Sequence, residues 1–431
     1  MPMRWQMPAA EAEDHTAPTP VRAAPAPDGG AARRLLLRAF ERSPFWLDPF
    51  YELLRRYAVP LLRSRHPVRR LVGTGRDGRA AAVLVGGDVS KLDVKELAHA
   101  FFLTPPDEVS VGSVAGPALA RRLADMLDSH DLVLARTWNM FVPEAAAVGL
   151  LTLPHLPELR LAVGPVESML AAANQETRRR VRRCDDQGYR LEVSAGSERF
   201  DEFYHNYHLP FVRKRHGVDS VEHPPEMLRR RLRRGGISWA GLDGERLFAV
   251  AFEIVGETFR ELVAGTPEGR TDRVVQRARY ASRAGHIRLS AERGVRWLSF
   301  GGCRPWLSDG MLASKRGWGG ELVPRPDDLR SSLVGWRRWT PAIARFLADY
   351  PLLVRAPGGF AAITAAPDSR TPPSYWRDRA PRGLRQLHVV ARLGVLSTGL
   401  VHGVSDRTTA FEGRASSAEL SEIVRSVATS G

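Results

Sequence analysis

The chain has 431 residues, of which 43% are apolar and 26% charged, and 63 Lys and Arg outweigh 48 Asp and Glu for a net charge of +15. This composition excludes a wholly disordered chain, and the length suggests two or three domains. The apolar runs are short (Ala145–Leu153 stops at Pro154), well under the ~20 residues a spanning helix needs, so no membrane span is expected.

Two cysteines, Cys184 and Cys303, are too few for a disulfide framework, and a cytoplasmic location is the simplest expectation. The first twenty residues carry acidic side chains and no apolar stretch, which argues against a secretory signal. Almost all of the cationic excess is arginine, with only Lys91, Lys95, Lys214 and Lys315 as lysines. Part of it reads as a solvated surface, and part as a contact for nucleic acid or anionic small molecules.

Residues 1–30 are rich in Ala, Pro and acidic residues and are expected to form a disordered tail. A first α/β unit over 31–165 opens with a helical pattern through Arg33–Arg63. Val68–Thr74 and Ala80–Val85 then flank a glycine turn as a strand pair, and Ala118–Ser129 is a helix candidate. Asp131–Ala135 and Arg160–Val163 add strand.

The second unit, 166–328, is more legible. Leu170, Ala173, Thr177, Val181 and Cys184 recur at helical spacing, with Arg178, Arg179, Arg182 and Arg183 on the other face. A short strand at Tyr189–Val193 precedes helices over Arg199–Arg215, bent at Pro210, and Glu226–Arg234. Three strands follow as a meander, Ile237–Leu242, Arg246–Val255 and Thr258–Ala264, joined by Asp243-Gly244 and Gly256-Glu257. Such dipeptides favour tight hairpin turns because their residues tolerate positive φ. A long helix, Asp272–Glu292, and a strand, Val295–Phe300, lead into Gly301-Gly302. Beyond it a Trp-rich helix over Leu329–Tyr350, a hairpin around Gly358-Gly359 and a tail make up a third segment, 329–431.

This order of elements is that of the GNAT acyltransferase fold. The loop GGCRPWLSDGMLASKRGWGGE at Gly301–Glu321 resembles that of Fem-like members of the superfamily, through Gly301, Gly302, Gly310, Lys315, Trp318 and Gly319. The Arg-rich segment Asn174–Gly188 and the aromatic helix Phe200–Arg215 are similar to those that open the catalytic half in this group. The resemblance covers about residues 165–325 and implies an α/β mixed sheet in tandem GNAT-like domains, the second catalytic. It also implies transfer of an acyl or aminoacyl group from an activated donor, aminoacyl-tRNA or acyl-CoA, to an acceptor amine. That acceptor would be a small molecule or a peptidoglycan precursor. The glycine signature that binds acetyl-CoA is missing from Thr266–Gln276, TPEGRTDRVVQ, which moves weight toward aminoacyl-tRNA. No tightly bound cofactor and no metal are expected, with acyl-CoA at most a co-substrate. A protein that binds RNA or another polyanion without catalysis stands as a further alternative.

Within this frame the expected catalytic residues are Lys315 and Asp309. An ammonium in a dry loop stabilises an oxyanion as a compact point charge, and Asp309 would accept a proton from the attacking amine. Substrate contacts are expected from Arg178 and Arg182, one turn apart on a helix, and from Tyr204, Tyr207, Arg213, Arg215, Gly301, Gly302 and Trp318. The run Arg229–Arg234 offers either a solvated helix end or a polyanion contact. Cys303 is expected to pack as a small residue, with no covalent enzyme intermediate.

Overall fold

A computed structural model describes residues 41, 43, 47–53, 65–75, 78–86, 93–217, 222–325, 329–356, 359–366, 379–391, 394–399 and 408–411. The tail at 1–30 and most of the helical pattern at 33–63 lie outside the described residues. Of that pattern one helix is described, α1, Asp48–Leu53.

The first sheet is built from β1 (Arg65–Gly75), β2 (Gly78–Val85), β3 (Asp107–Ala115), β4 (Leu132–Trp138), β5 (Leu151–Pro154) and β13 (Arg330–Gly335), in the order β3-β1-β2-β4-β13-β5. Its helices are α2 (Asp93–Ala100), α3 (Leu119–Ser129) and α4 (Val142–Ala147). The second sheet has the order β12-β6-β11-β10-β9-β8-β7, from β6 (Glu158–Ala162), β7 (Arg190–Ala195), β8 (Gly235–Leu242), β9 (Glu245–Val255), β10 (Thr258–Gly265), β11 (Trp297–Gly302) and β12 (Glu321–Val323). Its helices are α5 (Val166–Ala172), α6 (Gln175–Asp186), α7 (Leu209–His216, entered through a π-helical turn at Phe203–His208), α8 (Pro225–Leu232), α9 (Arg273–Glu292) and α10 (Gly310–Arg316).

The two sheets repeat one pattern. In the first, β3, β1 and β2 run antiparallel, β2 and β4 pair in parallel, and β13 and β5 continue antiparallel. In the second, β8, β9 and β10 are antiparallel, β10 and β11 parallel, and β6 and β12 antiparallel. The hairpin signals work as read: Asp243 and Gly244 both take positive φ (51° and 83°), as does Gly256 (54°).

Two sequence expectations are corrected. Segment 329–350 is not one helix, because Arg330–Gly335 is strand β13, inserted between β4 and β5. Ser331, Ser332, Leu333 and Val334 are all buried there, so neighbours on both sides dictate strand. The helix is confined to α11, Pro341–Asp349, which Thr340 caps by accepting from Ile343 N at 3.2 Å. The boundaries at 165 and 328 are also crossed: β6 joins the second sheet from before the first boundary, and β13 returns to the first sheet from beyond the second.

The last segment forms a third sheet, β14 (Leu352–Ala356), β15 (Gly359–Ala366), β16 (Leu384–Ala391), β17 (Gly394–Gly399) and β18 (Thr408–Phe411). Alternation along its strands divides it between the other two. Leu352, Val354, Ala361 and Ile363 pack into the core of the first sheet, and Leu353, Phe360 and Ala362 into that of the second. Among the described residues no helix is long and apolar enough to cross a membrane.

Candidate active site

Strands β10 and β11 pair in parallel only over Thr258–Arg260 and Trp297–Ser299. Beyond that they part, and β10 carries a bulge between Glu261 and Val263. A cavity of about 590 Å³ fills the split, walled by Glu261–Ala264 from β10 and Phe300–Gly302 from β11. The start of α9, the end of α7 and Lys315 of α10 complete it. Its volume suits a small-molecule or nucleotide-sized ligand.

Lys315 is buried at 2% exposure. Its Nζ donates to Gly301 O at 2.9 Å and Gly302 O at 2.5 Å, which leaves one N–H. The left-handed φ of Gly301, 72°, lets consecutive carbonyls converge on one ammonium, a conformation side-chain-bearing residues rarely adopt. Burial pulls the Lys315 amine down to about 8, so near neutral pH the group can hold a proton or give it up.

Asp309 lies outside the cavity lining. Its Oδ2 caps α10, accepting from Leu312 N at 2.9 Å, and also takes Arg304 N at 3.3 Å. Its observed work is to hold the helix that aims Lys315. Trp318 is buried beneath the loop, stacked on Tyr280 at 6.0 Å and tilted against Phe300 at 6.3 Å. Gly302 allows Leu156 to come close, since a Cβ there would lie 2.9 Å from Leu156 Cβ.

The other expected contacts separate. Arg215 lines the cavity. Arg213 is exposed and bound to Glu222 at 2.6 Å. Tyr204 and Tyr207 belong to a buried aromatic cluster with Phe203 and Trp239, their hydroxyls donating to His223 O at 2.7 Å and Arg246 O at 3.1 Å. Neither lines the cavity. Arg178 and Arg182 sit on the exposed face of α6, away from the lining, with Arg178 donating to Ala171 O at 2.8 Å.

The run 229–234 is tied down internally: Arg229 pairs with Asp201, Arg230 and Arg234 with Asp48, and Arg231 with Glu253, while Arg233 donates to Glu41 O at 3.2 Å. Three carboxylates thus offset part of the charge of the five arginines, and the side chains are held within the fold. Both cysteines are buried and free, and burial pushes their thiols up, Cys184 to about 11 and Cys303 to about 12. A thiol so protonated is a poor nucleophile.

Five side chains that sequence reading missed complete the site. Glu261 on the cavity wall meets His286 Nδ1 at 2.8 Å, and His286 Nε2 meets Ser238 Oγ at 2.7 Å. Burial pushes the Glu261 carboxyl up, yet the His286 hydrogen bond and the charges of His286, Arg283 and Lys315 outweigh it and hold the group down to about 2. Arg279 and Arg283 stand one turn apart on α9, and both line the cavity. The available signal was a pair of arginines at i,i+4 on the helix after the meander, followed by a histidine among small residues.

The start of α9 also differs from an open anion site. Asp272 Oδ1 accepts from Val274 N at 3.0 Å and Val275 N at 3.1 Å, filling donors that a pyrophosphate at a helix N-terminus would need. Asp272→Ala is expected to lower stability by about 1 kcal/mol through loss of the cap, read as a lower urea midpoint at unchanged slope. An unchanged midpoint would remove that role.

The strand order, the parallel pair at the middle of each sheet and the split between β10 and β11 define a tandem GNAT-type fold. No family model matches the chain and no curated protein matches it. Among solved structures it is similar to FemX, at 12% identity and TM-score 0.35 over 69% of this chain and 95% of that one. It is also similar to L-PGS from Bacillus licheniformis (12%, TM-score 0.31, 64% and 87%) and to a GCN5-related N-acetyltransferase from Kribbella flavida (12%, TM-score 0.26, 65% and 93%).

Proposed function

We propose that this protein is a Fem-like N-acyltransferase that moves an acyl or aminoacyl group from an activated donor, preferably aminoacyl-tRNA, to an acceptor amine. The observation that carries this reading is the cleft opened by the parting of β10 and β11, with a buried lysine at its floor. In the proposed reaction the amine nitrogen attacks the donor carbonyl, a C–N bond forms, and the ester C–O bond breaks to leave a ribose hydroxyl. The remaining N–H of Lys315 stabilises the oxyanion; Lys315 gives its proton to the leaving ribose oxygen and takes back the one that the attacking amine loses, which restores the ammonium. Two features favour aminoacyl-tRNA: the net charge of +15 and the Asp272 cap on the backbone donors of α9. Acyl-CoA is the second reading, supported by Thr266, Gly269 and Thr271 lining the cavity beside that helix.

Two measurements test this. Incubation with each donor and a pool of small amines should give enzyme-dependent loss of the acyl group from aminoacyl-tRNA, and turnover of neither donor would overturn the enzyme reading. Binding of aminoacyl-tRNA should weaken steeply between about 50 and 200 mM salt, with log K falling by ~0.7 to 0.9 per log unit for each phosphate neutralised. A flat response, or no binding at the lower salt, would promote acyl-CoA to first place.

A further inference from the structure

We propose that Arg279 and Arg283, with Arg215 from the end of α7, form a phosphate-binding subsite inside the cleft that takes a phosphate ester of the incoming substrate. The subsite deepens the acyltransferase reading and rests on it only for the molecule to which that phosphate belongs.

Arg229, Arg230, Arg231, Arg234, Arg246, Arg270 and Arg288 each meet a carboxylate. Arg270 also lines the cavity, but the other three arginines there lack so close a pair, as do Arg182 and Arg183 on the exposed face of α6 among the described residues. Among the described residues Arg279 donates a hydrogen bond only to Met311 Sδ, at 3.6 Å, and meets no carboxylate within ion-pair distance. Arg215 lies over the ring of Phe211 at 5.9 Å and meets no carboxylate among the described residues. Arg283 donates to Ser314 Oγ at 3.1 Å, with Glu261 Oε2 only at 3.9 Å. Glu261, the one carboxylate in the lining, is already engaged by His286. Lys214 and Lys315 add two more cations to the same wall.

Like charges gathered out of water repel, and burial first, then Arg283 and Arg215, pull Arg279 down to about 10. An anion from outside relieves that repulsion and supplies the hydrogen-bond acceptors the guanidinium forks lack. A phosphate suits the arrangement better than a carboxylate, because several oxygens on one atom can serve guanidiniums from α9 and α7 together. The same chemistry occurs at the 3′ end of a tRNA and in coenzyme A, so the two sources are separated by experiment.

Full-length wild type, Arg279→Gln and Arg279→Lys are titrated calorimetrically with three probes: an RNA minihelix ending in CCA, coenzyme A, and adenosine, which has no phosphate. All three proteins are first checked for an unchanged melting transition, and Arg279→Lys keeps the charge should the glutamine variant fail to fold. The subsite is supported if a phosphate-bearing probe binds about tenfold or more weakly to Arg279→Gln, falls between for Arg279→Lys, and adenosine is indifferent. Dependence confined to the minihelix assigns the phosphate to tRNA, and dependence confined to coenzyme A assigns it to the thioester donor. Equal binding by wild type and variant, or no binding of either phosphate probe, overturns the proposal. Arginine-dependent binding without any acyl transfer would instead leave the subsite standing and remove the acyltransferase reading.

Discussion

Lys315→Ala is expected to lower turnover by about 100-fold or more at saturating donor, comparable to loss of one preorganised oxyanion donor. The side chain is buried, and the substitution also strips Gly301 O and Gly302 O of their shared ammonium. Lys315→Met keeps most of the volume but, like alanine, loses the ammonium and both hydrogen bonds, so a fall in turnover shared by the two variants is not the result of an empty space. Turnover should also fall as pH rises through about 8, where the lysine loses its proton. The stability effect has the opposite sign. A folded-state pKa below the ordinary 10.5 means that the charged amine costs stability at pH below about 8, and the cost disappears as pH rises toward 10.5. Wild-type kinetics in Lys315→Met, or an alkaline limb unmoved by the substitution, would show that the ammonium takes no part in turnover.

Glu261→Gln should be the most destabilising single change at the site, by about 3–5 kcal/mol, because it removes the carboxylate that faces the buried cations of the cavity lining. His286 would keep a hydrogen-bond partner, but Arg283 would lose the charge of Glu261 and Lys315 would keep only that of Asp309. The same group predicts an acid limb. With its folded pKa held at about 2 against 4.5 unfolded, Glu261 contributes roughly 3 kcal/mol that is fully present above pH 4.5 and is lost as pH falls toward 2. Chemical denaturation of wild type and Glu261→Gln at neutral pH and again near pH 3 checks both statements. The gap between them should narrow in acid; a constant gap, or a variant within about 0.5 kcal/mol of wild type at neutral pH, would contradict the role assigned to this carboxylate.

The revised picture of the arginines changes what a nucleic-acid experiment should find. Four arginines of the run at 229–234 are held by Asp201, Asp48 and Glu253, so substituting those four should cost stability before it alters any salt dependence. Arg182 and Arg183 on the exposed face of α6 remain without such partners among the described residues. They and the cavity arginines are where a polyanion's contacts should be sought.

Local signals in the sequence were sufficient for the order of elements in the second unit. The meander was marked by its turn dipeptides, α9 by its length and by Asp272 at its cap, and the Lys315 loop by a lysine kept among arginines and glycines. Each of these rests on periodicity, on turn chemistry or on residue type, properties carried by a few neighbouring positions. The tertiary structure alone decided three other matters. The strand at Arg330–Gly335 exists because β4 and β5 flank it on either side, and its own residues carry no alternation that would reveal this. The third sheet owes its two apolar faces to the sheets on either side of it. The cavity itself gathers Glu261, Arg279, Arg283 and Arg215 from three elements, and which arginines among so many lack a carboxylate depends on distances between side chains far apart in the chain. Charge can be counted in a sequence, but its neutralisation is a property of neighbours in space.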